Sequence, residues 1–255
     1  MQKVRAKKHF GQHFLKDLKI AERIAQIIPE NTKNVLEIGS GMGVLTQFLL
    51  ENQSINFKAV EIDSEATIYL NEHFPRLDVI NGNFLKMDLE KIFNGEKFVI
   101  IGNFPYNISS QIFFKAFNNR HLVTFVGGML QKEVAERICA PAGSKTYGIL
   151  SVLLQAYYDA KYLFGVSEHV FEPPPKVKSA VVALSRNATP SLNCDEREFA
   201  AIVKTAFNQR RKTLRNSLKK YAENQSLTDK IFDLRPEQLT FSQFEFLTNL
   251  ILVKN

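Results

Sequence analysis

The stretch NVLEIGSGMGVLTQFLLEN (34–52) decides the predicted fold, because it changes from a strand pattern to a helix pattern across a run of glycines. Its first residues are apolar like those of a buried strand, and its last ten have the composition of a helix. The same change recurs between NFKAVEID (56–63), a predicted strand, and SEATIYLNEHF (64–74), a predicted helix capped by Ser64. Two consecutive units of this kind indicate a parallel sheet covered by helices.

Further strands and helices are predicted downstream. The strands are LDVINGN (77–83), KFVIIGN (97–103), HLVTFVGGML (121–130) and KSAVVALSR (178–186), and helices are predicted at 109–119 and 131–139. The strand at 178–186 suits an antiparallel edge position. We therefore predict an α/β fold with a doubly wound, Rossmann-like sheet in residues 1–187. From 188 to 255 the composition changes to turn formers and then to helical sequence, which predicts a small all-helical C-terminal domain.

Composition restricts the class of protein. The chain has 255 residues, of which 45% are hydrophobic, enough for a packed core. No run of about 18 apolar residues and no secretory h-region is present, so neither a membrane span nor export is expected. We expect a cytoplasmic protein that does not bind membranes.

The net charge of +7 is concentrated in two segments. Residues 1–19 contain six basic side chains and one acidic, and residues 199–221 contain seven basic and none acidic. The apolar residues of 199–221 approximate one helical face, which leaves most of the cations outside it. Concentrated positive charge on an otherwise acidic chain predicts a polyanion as partner.

The glycine run indicates a nucleoside-containing cofactor. Gly39, Gly41 and Gly43 lie between a strand and a helix, where a tight turn lets a ligand approach the backbone. Glu61 ends the second strand, where an acidic side chain accepts hydrogen bonds from both hydroxyls of a ribose. These features alone leave several cofactors open.

The motif IGNFPYNIS (101–109) distinguishes between them. Its N-F-P-Y core, residues 103–106, follows a buried strand and resembles the signature of S-adenosylmethionine-dependent methyltransferases that act on planar amino groups, above all the exocyclic amine of adenine. Further blocks in order are KKHFGQHFL (7–15), EIGSGMGVLT (37–46), VEID (60–63), YGILSV (147–152), FEPPPKVKS (171–179) and FNQRRKTLRNSL (207–218). With them the chain, from about residue 5 to its C-terminal end, resembles the bacterial 16S ribosomal RNA adenine dimethyltransferase family.

The resemblance implies a class I methyltransferase domain with a basic N-terminal arm (1–187) and a helical RNA-binding domain (188–255). It also implies the reaction. Methyl groups pass from S-adenosylmethionine, leaving S-adenosylhomocysteine, to two adjacent adenosines in a hairpin near the 3′ end of 16S rRNA during small-subunit assembly. A monomer without a metal is expected.

The resemblance also implies cofactor contacts, at His13, Leu15, Gly39, Gly41, Glu61, Asn83 and Asn103. Two of these depart from the common pattern, since the family frequently has Asn at His13 and Asp at Asn83. A histidine ring nitrogen still forms hydrogen bonds, and the Asn83 oxygen still accepts from an adenine amine, but without a carboxylate's charge. Ser40, where the family often has proline, is expected to matter little.

The N-F-P-Y residues suit amine methylation. The side-chain oxygen of Asn103 and the backbone carbonyl of Phe104 each accept one N–H of the amine, and Pro105 restricts the conformation of Phe104. Tyr106 is expected to stack on the target base, and the resemblance favours Phe171 on the opposite face. No general base is required.

The resemblance assigns RNA binding to the two basic segments. The predicted contacts are Lys7, Lys8, Arg210, Arg211, Lys212 and Arg215, and Lys3 and Arg5 extend the basic arm.

Three alternatives remain open. The first is the related large-subunit adenine dimethyltransferase, against which the 171–179 and 207–218 blocks weigh. The second is methylation of a DNA adenine or a protein glutamine, which leaves the C-terminal basic segment without a purpose. The third is a noncatalytic assembly factor that binds pre-ribosomal RNA, against which the intact glycine turn, Glu61 and N-F-P-Y motif weigh.

Overall fold

The protein was analysed as a computed structural model that describes residues 4–224 and 228–252. The strands are β1 (Phe14–Leu15), β2 (Asn34–Ile38), β3 (Asn56–Glu61), β4 (Asp78–Asn81), β5 (Phe98–Asn103), β6 (Val123–Gln131), β7 (Tyr158–Val166), β8 (Phe171–Glu172) and β9 (Ser179–Arg186). The α-helices are α1 (Leu18–Ala25), α2 (Thr46–Leu50), α3 (Ser64–His73), α4 (Ser109–Asn118), α5 (Lys132–Cys139), α6 (Ile149–Gln155), α7 (Glu196–Asn208), α8 (Leu214–Ser217) and α9 (Phe241–Leu252).

Seven strands form one sheet in the order β4-β3-β2-β5-β6-β9-β7. The five neighbouring strands β4, β3, β2, β5 and β6 are parallel, and β9 runs antiparallel to β6. In the register, Val35 of β2 lies opposite Phe57 on one side and Val99 on the other. Strands β1 and β8 form a separate antiparallel pair. The predicted doubly wound α/β class is therefore confirmed.

The antiparallel strand lies one place further into the sheet than the sequence predicts. β9 was expected at the edge, but it lies between β6 and β7, and β7 is the edge strand. The apolar run of β9 is almost entirely buried, whereas β7 exposes Tyr162 and Leu163. Continuous apolar sequence is typical of an interior strand, and this is the physical reason for the difference.

Burial explains why the central strands form. All five residues of β2 are buried, and Val35, Ile101, Phe125 and Met129 belong to one core cluster on a face of the sheet. Apolar residues of the flanking helices, among them Ile24, pack into the same cluster. Strands covered in this way have their carboxyl ends fixed, and those ends carry the candidate site.

Two helix predictions require correction. The cap of α3 is Asp63 rather than Ser64, because the Asp63 carboxylate accepts a hydrogen bond from the backbone N–H of Glu65 at 3.1 Å. The predicted continuous helical face at 199–221 is interrupted after Asn208. Residues 209–212 form a turn, closed by the Lys212 N–H on the Gln209 carbonyl at 2.8 Å. The turn allows Leu214 and Leu218 to stay buried on α8 and at its end.

The chain divides into two compact units. The first comprises residues up to Ala135 and Ala160–Arg186, and the second comprises Glu136–Asp159 and the chain from Asn187 onward. α6 thus belongs with the C-terminal helices, although it precedes the last strands in sequence. The assignment of residues 188–255 to RNA binding stays a prediction. Within the described residues, no helix has both the length and the apolar character that crossing a membrane requires.

Candidate active site

A cavity opens at the carboxyl ends of β2, β3 and β5. Because these strands are parallel neighbours, their ends meet at one edge of the sheet. The walls include every predicted cofactor contact and the whole N-F-P-Y motif, namely His13, Leu15, Gly39, Gly41, Glu61, Asn83 and residues 103–106. Residues as far apart in the chain as His13 and Tyr106 are therefore brought together.

In the turn after β2, Gly39 and Gly41 have little room for a side chain. Gly39 and Gly41 have φ angles of 74° and 55°, which L-residues with a side chain rarely adopt. A Cβ atom on Gly39 would lie 3.3 Å from the ring of Pro105, and one on Gly41 would lie 2.9 Å from Phe14. The turn thus leaves its backbone open to a ligand, as a nucleoside cofactor requires.

Glu61 is held by the backbone of two loops. Its carboxylate accepts the Gly41 N–H at 2.9 Å and the Asp63 N–H at 2.9 Å, one on each oxygen. Burial raises the pKa of Glu61, while these backbone hydrogen bonds oppose the increase. A carboxylate oxygen that accepts one N–H has capacity for a further hydrogen bond, so Glu61 is chemically able to accept from ligand hydroxyls.

Asn83 and His13 also have fixed orientations. The Asn83 Oδ1 atom accepts the backbone N–H of Leu85 at 2.9 Å and keeps one lone pair for a ligand. The His13 Nδ1 atom lies 2.8 Å from the carbonyl oxygen of Pro173, which can only accept, so Nδ1 carries the proton. In the neutral ring, Nε2 is then an acceptor.

The N-F-P-Y motif presents its polar atoms to the cavity. The Asn103 amide nitrogen donates to the carbonyl of His13 at 3.1 Å, which leaves Oδ1 without a partner among the described residues. The Phe104 side chain is buried against Phe113, so only its backbone can serve a substrate. The Tyr106 ring lies 5.3 Å from that of His13, and its hydroxyl hydrogen-bonds the buried Ser179 hydroxyl.

Phe171 does not lie at this cavity. Its side chain is 1% exposed, and β8 pairs it with Leu15, so that it packs in the core. The predicted stacking of Phe171 on the target base therefore does not fit the structure. Strand pairing with β1 turns the ring inward, and the sequence contained no signal for so short a pair.

Sequence reasoning missed several residues in and around the cavity, among them Glu37, Ile62 and Ser179. Glu37 and Ile62 line the wall, and Ser179 fixes the Tyr106 hydroxyl. Glu37 is a buried acid between the apolar residues Leu36 and Ile38, and that contrast is a signal that the sequence does contain. Its carboxylate accepts a hydrogen bond from the Thr46 hydroxyl at 2.6 Å.

Glu37 makes folding stability depend on pH. Burial raises its pKa from an ordinary 4.5 to about 7, and the Thr46 hydrogen bond only partly opposes this. The unfolded chain thus releases the proton before the folded chain, so the contribution of Glu37 to stability falls as pH rises from about 4.5 to about 7. We expect the unfolding free energy of Glu37→Gln, measured in denaturant titrations, to rise relative to that of the wild type as pH increases across this interval. The difference between the two proteins should change by up to roughly 3 kcal/mol. A difference that does not change with pH would contradict this.

Lys7, a predicted RNA contact, forms ion pairs within the fold. Its ammonium lies 2.6 Å from Asp63, whose side chain is 1% exposed, and 3.0 Å from Glu65. Gln12 also donates to Asp63, at 3.2 Å. Burial acts to raise the pKa of Asp63, but hydrogen bonds from Lys7, Gln12 and the Glu65 N–H outweigh it and hold the pKa below its ordinary value. Lys7 therefore fastens the N-terminal segment to the fold, while the neighbouring Lys8 is exposed.

This ion pair predicts a pH-dependent loss of stability. Lys7→Met leaves a buried carboxylate without its cation and should lower the denaturant midpoint. Because the folded pKa of Asp63 is depressed, its contribution is complete above the ordinary value of 3.8 and is lost as pH falls below it. The difference between wild type and variant should accordingly shrink in acid, whereas Lys8→Met should match the wild type throughout. Equal midpoints for all three proteins at neutral pH would show that the pair is not stabilising.

The basic C-terminal residues differ in whether their side chains already have partners within the protein. Arg215 hydrogen-bonds Asp233 through Nε at 3.0 Å and Nη2 at 2.7 Å, and Arg210 donates to the carbonyl of Ser144 at 3.3 Å. Arg211 and Lys212 are exposed and have no ion-pair partner in residues 4–224 and 228–252. Lys3 lies outside the described residues. The predicted cations are thus on the surface, but two of them also hold the unit together.

No metal cluster is present in the described part of the chain: no group of three or more His, Cys, Asp or Glu side chains is arranged to hold an ion. That methyl transfer proceeds without a metal stays a prediction.

Comparison with known proteins identifies the family. Residues 3–240 match the family model described as ribosomal RNA adenine dimethylase. The chain is 58% identical to the ribosomal RNA small subunit methyltransferase A of Parabacteroides distasonis, over 97% of this chain and 94% of the relative. It is 56% identical to the protein of the same name from Bacteroides thetaiotaomicron, over 98% and 96%.

A solved structure agrees with this result. The crystal structure of a dimethyladenosine transferase from Plasmodium falciparum superposes with a TM-score of 0.71 at 26% identity, covering 93% of this chain and 97% of that one. The chain therefore belongs to the ribosomal RNA adenine dimethylase family.

Proposed function

We propose that the protein transfers methyl groups from S-adenosylmethionine to the exocyclic amines of two adjacent adenosines in a hairpin near the 3′ end of 16S rRNA, during small-subunit assembly. One observation carries the proposal. The N-F-P-Y motif ends β5 in the same cavity as the glycine turn and Glu61, so that a base and a nucleoside cofactor can meet there. The names of the relatives favour the small subunit over the large one.

The cavity fits S-adenosylmethionine. Gly39 and Gly41 form a cradle that a Cβ would fill, Glu61 serves the ribose, and Asn83 serves the adenine. His13 and Asn103, which line the same cavity, would hold the end of the cofactor that carries the methyl group. When bound, the cofactor supplies an electrophilic methyl group on a sulfonium.

Residues of the motif prepare the acceptor. The lone pair of an adenine amine is delocalised into the ring, so the amine is a weak nucleophile until its geometry changes. Asn103 Oδ1 and the Phe104 carbonyl each accept one N–H and direct the lone pair toward the methyl group. The Phe104 N–H bonds the Met129 carbonyl at 2.8 Å, which fixes the Asn103–Phe104 peptide, next to the accepting carbonyl, to β6. Tyr106, held by Ser179, offers its ring to the base, and the cationic amine that results loses its proton to water.

RNA binding is proposed for the exposed cations. Lys8, Arg211 and Lys212 are free to meet phosphates, whereas Arg210 also bonds the Ser144 carbonyl and Arg215 also pairs with Asp233. We also propose that the enzyme acts as a monomer, without a metal or a membrane, in the cytoplasm where ribosomal subunits mature.

Salt dependence tests this assignment. The double variant Arg211→Gln/Lys212→Gln should weaken binding of 16S rRNA fragments and lower the slope of log affinity against log salt by roughly 1.5, because about two phosphate contacts are lost. Lys230→Gln, a change of an exposed cation in the same unit, is the control. An unchanged slope of log affinity against log salt would show that residues 211 and 212 do not contact the RNA.

The choice of substrate has its own experiment. The purified protein is incubated with labelled S-adenosylmethionine and, separately, with small and large ribosomal subunits that lack adenine methylation. We expect label in small-subunit rRNA only. Label in the large subunit would favour the related large-subunit enzyme, and cofactor binding without any transfer would favour a noncatalytic assembly factor.

A further inference from the structure

Lys115 on α4 bonds the turn that carries Asn83. Its ammonium donates to the backbone carbonyls of Leu85 at 3.0 Å and Met87 at 2.5 Å. It also lies 5.4 Å from the ring centre of Phe84, which is 3% exposed. A lysine half-covered by protein and bound to two carbonyls is an unusual arrangement, because the ammonium gives up water for neutral acceptors. Burial accordingly lowers the pKa of Lys115, with the charge of Asp88 acting in the opposite direction.

The turn uses Lys115 to complete its own hydrogen bonding. Within the 3-10 turn Phe84–Lys86, the Asn83 carbonyl accepts the Lys86 N–H at 2.9 Å and the Phe84 carbonyl accepts the Met87 N–H at 3.2 Å. The carbonyls of Leu85 and Met87 are the ones that Lys115 takes. Without Lys115 the conformation of the turn would be less strongly determined.

The same helix is joined to the N-F-P-Y motif. The N–H of Ile108 bonds the Pro105 carbonyl at 3.2 Å, and the Ser109 hydroxyl donates to the Tyr106 carbonyl at 3.3 Å. α4 begins at Ser109, so Lys115 lies two turns along a rigid element from the motif. Lys115 thus connects the segment that offers Asn83 with the segment that offers Asn103.

We propose that Lys115 is a positioning residue that holds the Asn83 turn in register with the methyl-transfer motif, and that it thereby sets the selection of adenine in the cofactor. The inference rests on the proposed function, because it takes Asn83 to be the adenine contact. The Asn83 Oδ1 atom accepts from the 6-amino group, which hypoxanthine lacks. Loss of the Lys115 bonds should therefore reduce discrimination between the two bases.

Binding of two product analogues tests this. Affinities for S-adenosylhomocysteine and S-inosylhomocysteine are measured by calorimetry for the wild type, Lys115→Met and Lys115→Arg. We expect the wild type to prefer the adenine compound and Lys115→Met to lose roughly five- to tenfold of that preference, while Lys115→Arg, which still donates to two carbonyls, keeps most of it. Lys86→Met is the matched control, since Lys86 is exposed in the same turn and its side chain has no partner among the described residues.

A double-mutant cycle separates positioning from general stability. In an Asn83→Ala background, Lys115→Met should not change the preference for the adenine compound any further, because the Asn83 contact that Lys115 positions has already been removed. Should Lys115→Met fail to fold, Lys115→Gln takes its place. Its single amide donor group has a smaller reach, so we expect a partial loss of the preference for the adenine compound.

Two results would overturn different claims. A full preference in folded Lys115→Met or Lys115→Gln, with a wild type that binds and methylates normally, would overturn the role of Lys115 alone. A wild type that binds neither compound would overturn the proposed function.

Discussion

Asn103→Ala should lower the rate of methyl transfer by roughly 100- to 1,000-fold while RNA affinity changes little. The variant removes the Oδ1 acceptor, which has no partner in the described chain and is free for the target amine. The loss should appear in kcat rather than in KM for RNA, because the contact is made to the reacting amine.

The control for this variant is Asn118→Ala. Asn118 is the last residue of α4 and is exposed, so its truncation should leave kcat unchanged. Single-turnover transfer to the ribosomal substrate, measured beside a filter-binding titration, separates the two effects. Transfer by Asn103→Ala at the wild-type rate would eliminate the proposed acceptor.

Glu61→Ala should weaken S-adenosylmethionine binding by roughly 100- to 1,000-fold, because two charge-assisted hydrogen bonds to the ribose are lost at once. The change also leaves the N–H groups of Gly41 and Asp63 without their acceptor. Part of the loss of cofactor affinity should therefore come from a glycine turn that is held less firmly.

Calorimetry with the cofactor measures this effect directly. Glu72→Gln, a change of an exposed acid on α3, serves as control and should bind like the wild type. A Glu61→Ala protein that is folded and retains the wild-type Kd would place the ribose elsewhere in the cavity.

The fold was predictable because its signals are local and repeated. Buried runs such as 34–38 and 98–103, each followed by a turn and a helix, specify a parallel sheet without any knowledge of distant contacts. The relative positions of β7 and β9 were not predictable from the sequence. The order of neighbouring antiparallel strands depends on which of them the rest of the molecule covers. The interruption after Asn208 likewise depends on burial of Leu214 by its tertiary surroundings.

The candidate site was predictable in its residues more than in its contacts. Asn103 and Glu61 end their strands and the glycine turn directly follows β2, so topology alone brings them together. Phe171 and Lys7 show the limit of this reasoning. Each received a role from its type and motif, but strand pairing buries Phe171 and the distant Asp63 binds Lys7. Partners so far apart in the chain leave no periodic signal in it.

The most direct test of the account is the identity of the product. Small subunits lacking adenine methylation are incubated with the wild-type protein and unlabelled S-adenosylmethionine, and the 3′ region of the 16S rRNA is examined by primer extension and mass spectrometry. We expect N6,N6-dimethyladenosine at two neighbouring positions, four methyl groups in all. Methylation at another atom, on another base or at a single isolated adenosine, or none at all under conditions in which S-adenosylmethionine is bound, would contradict it.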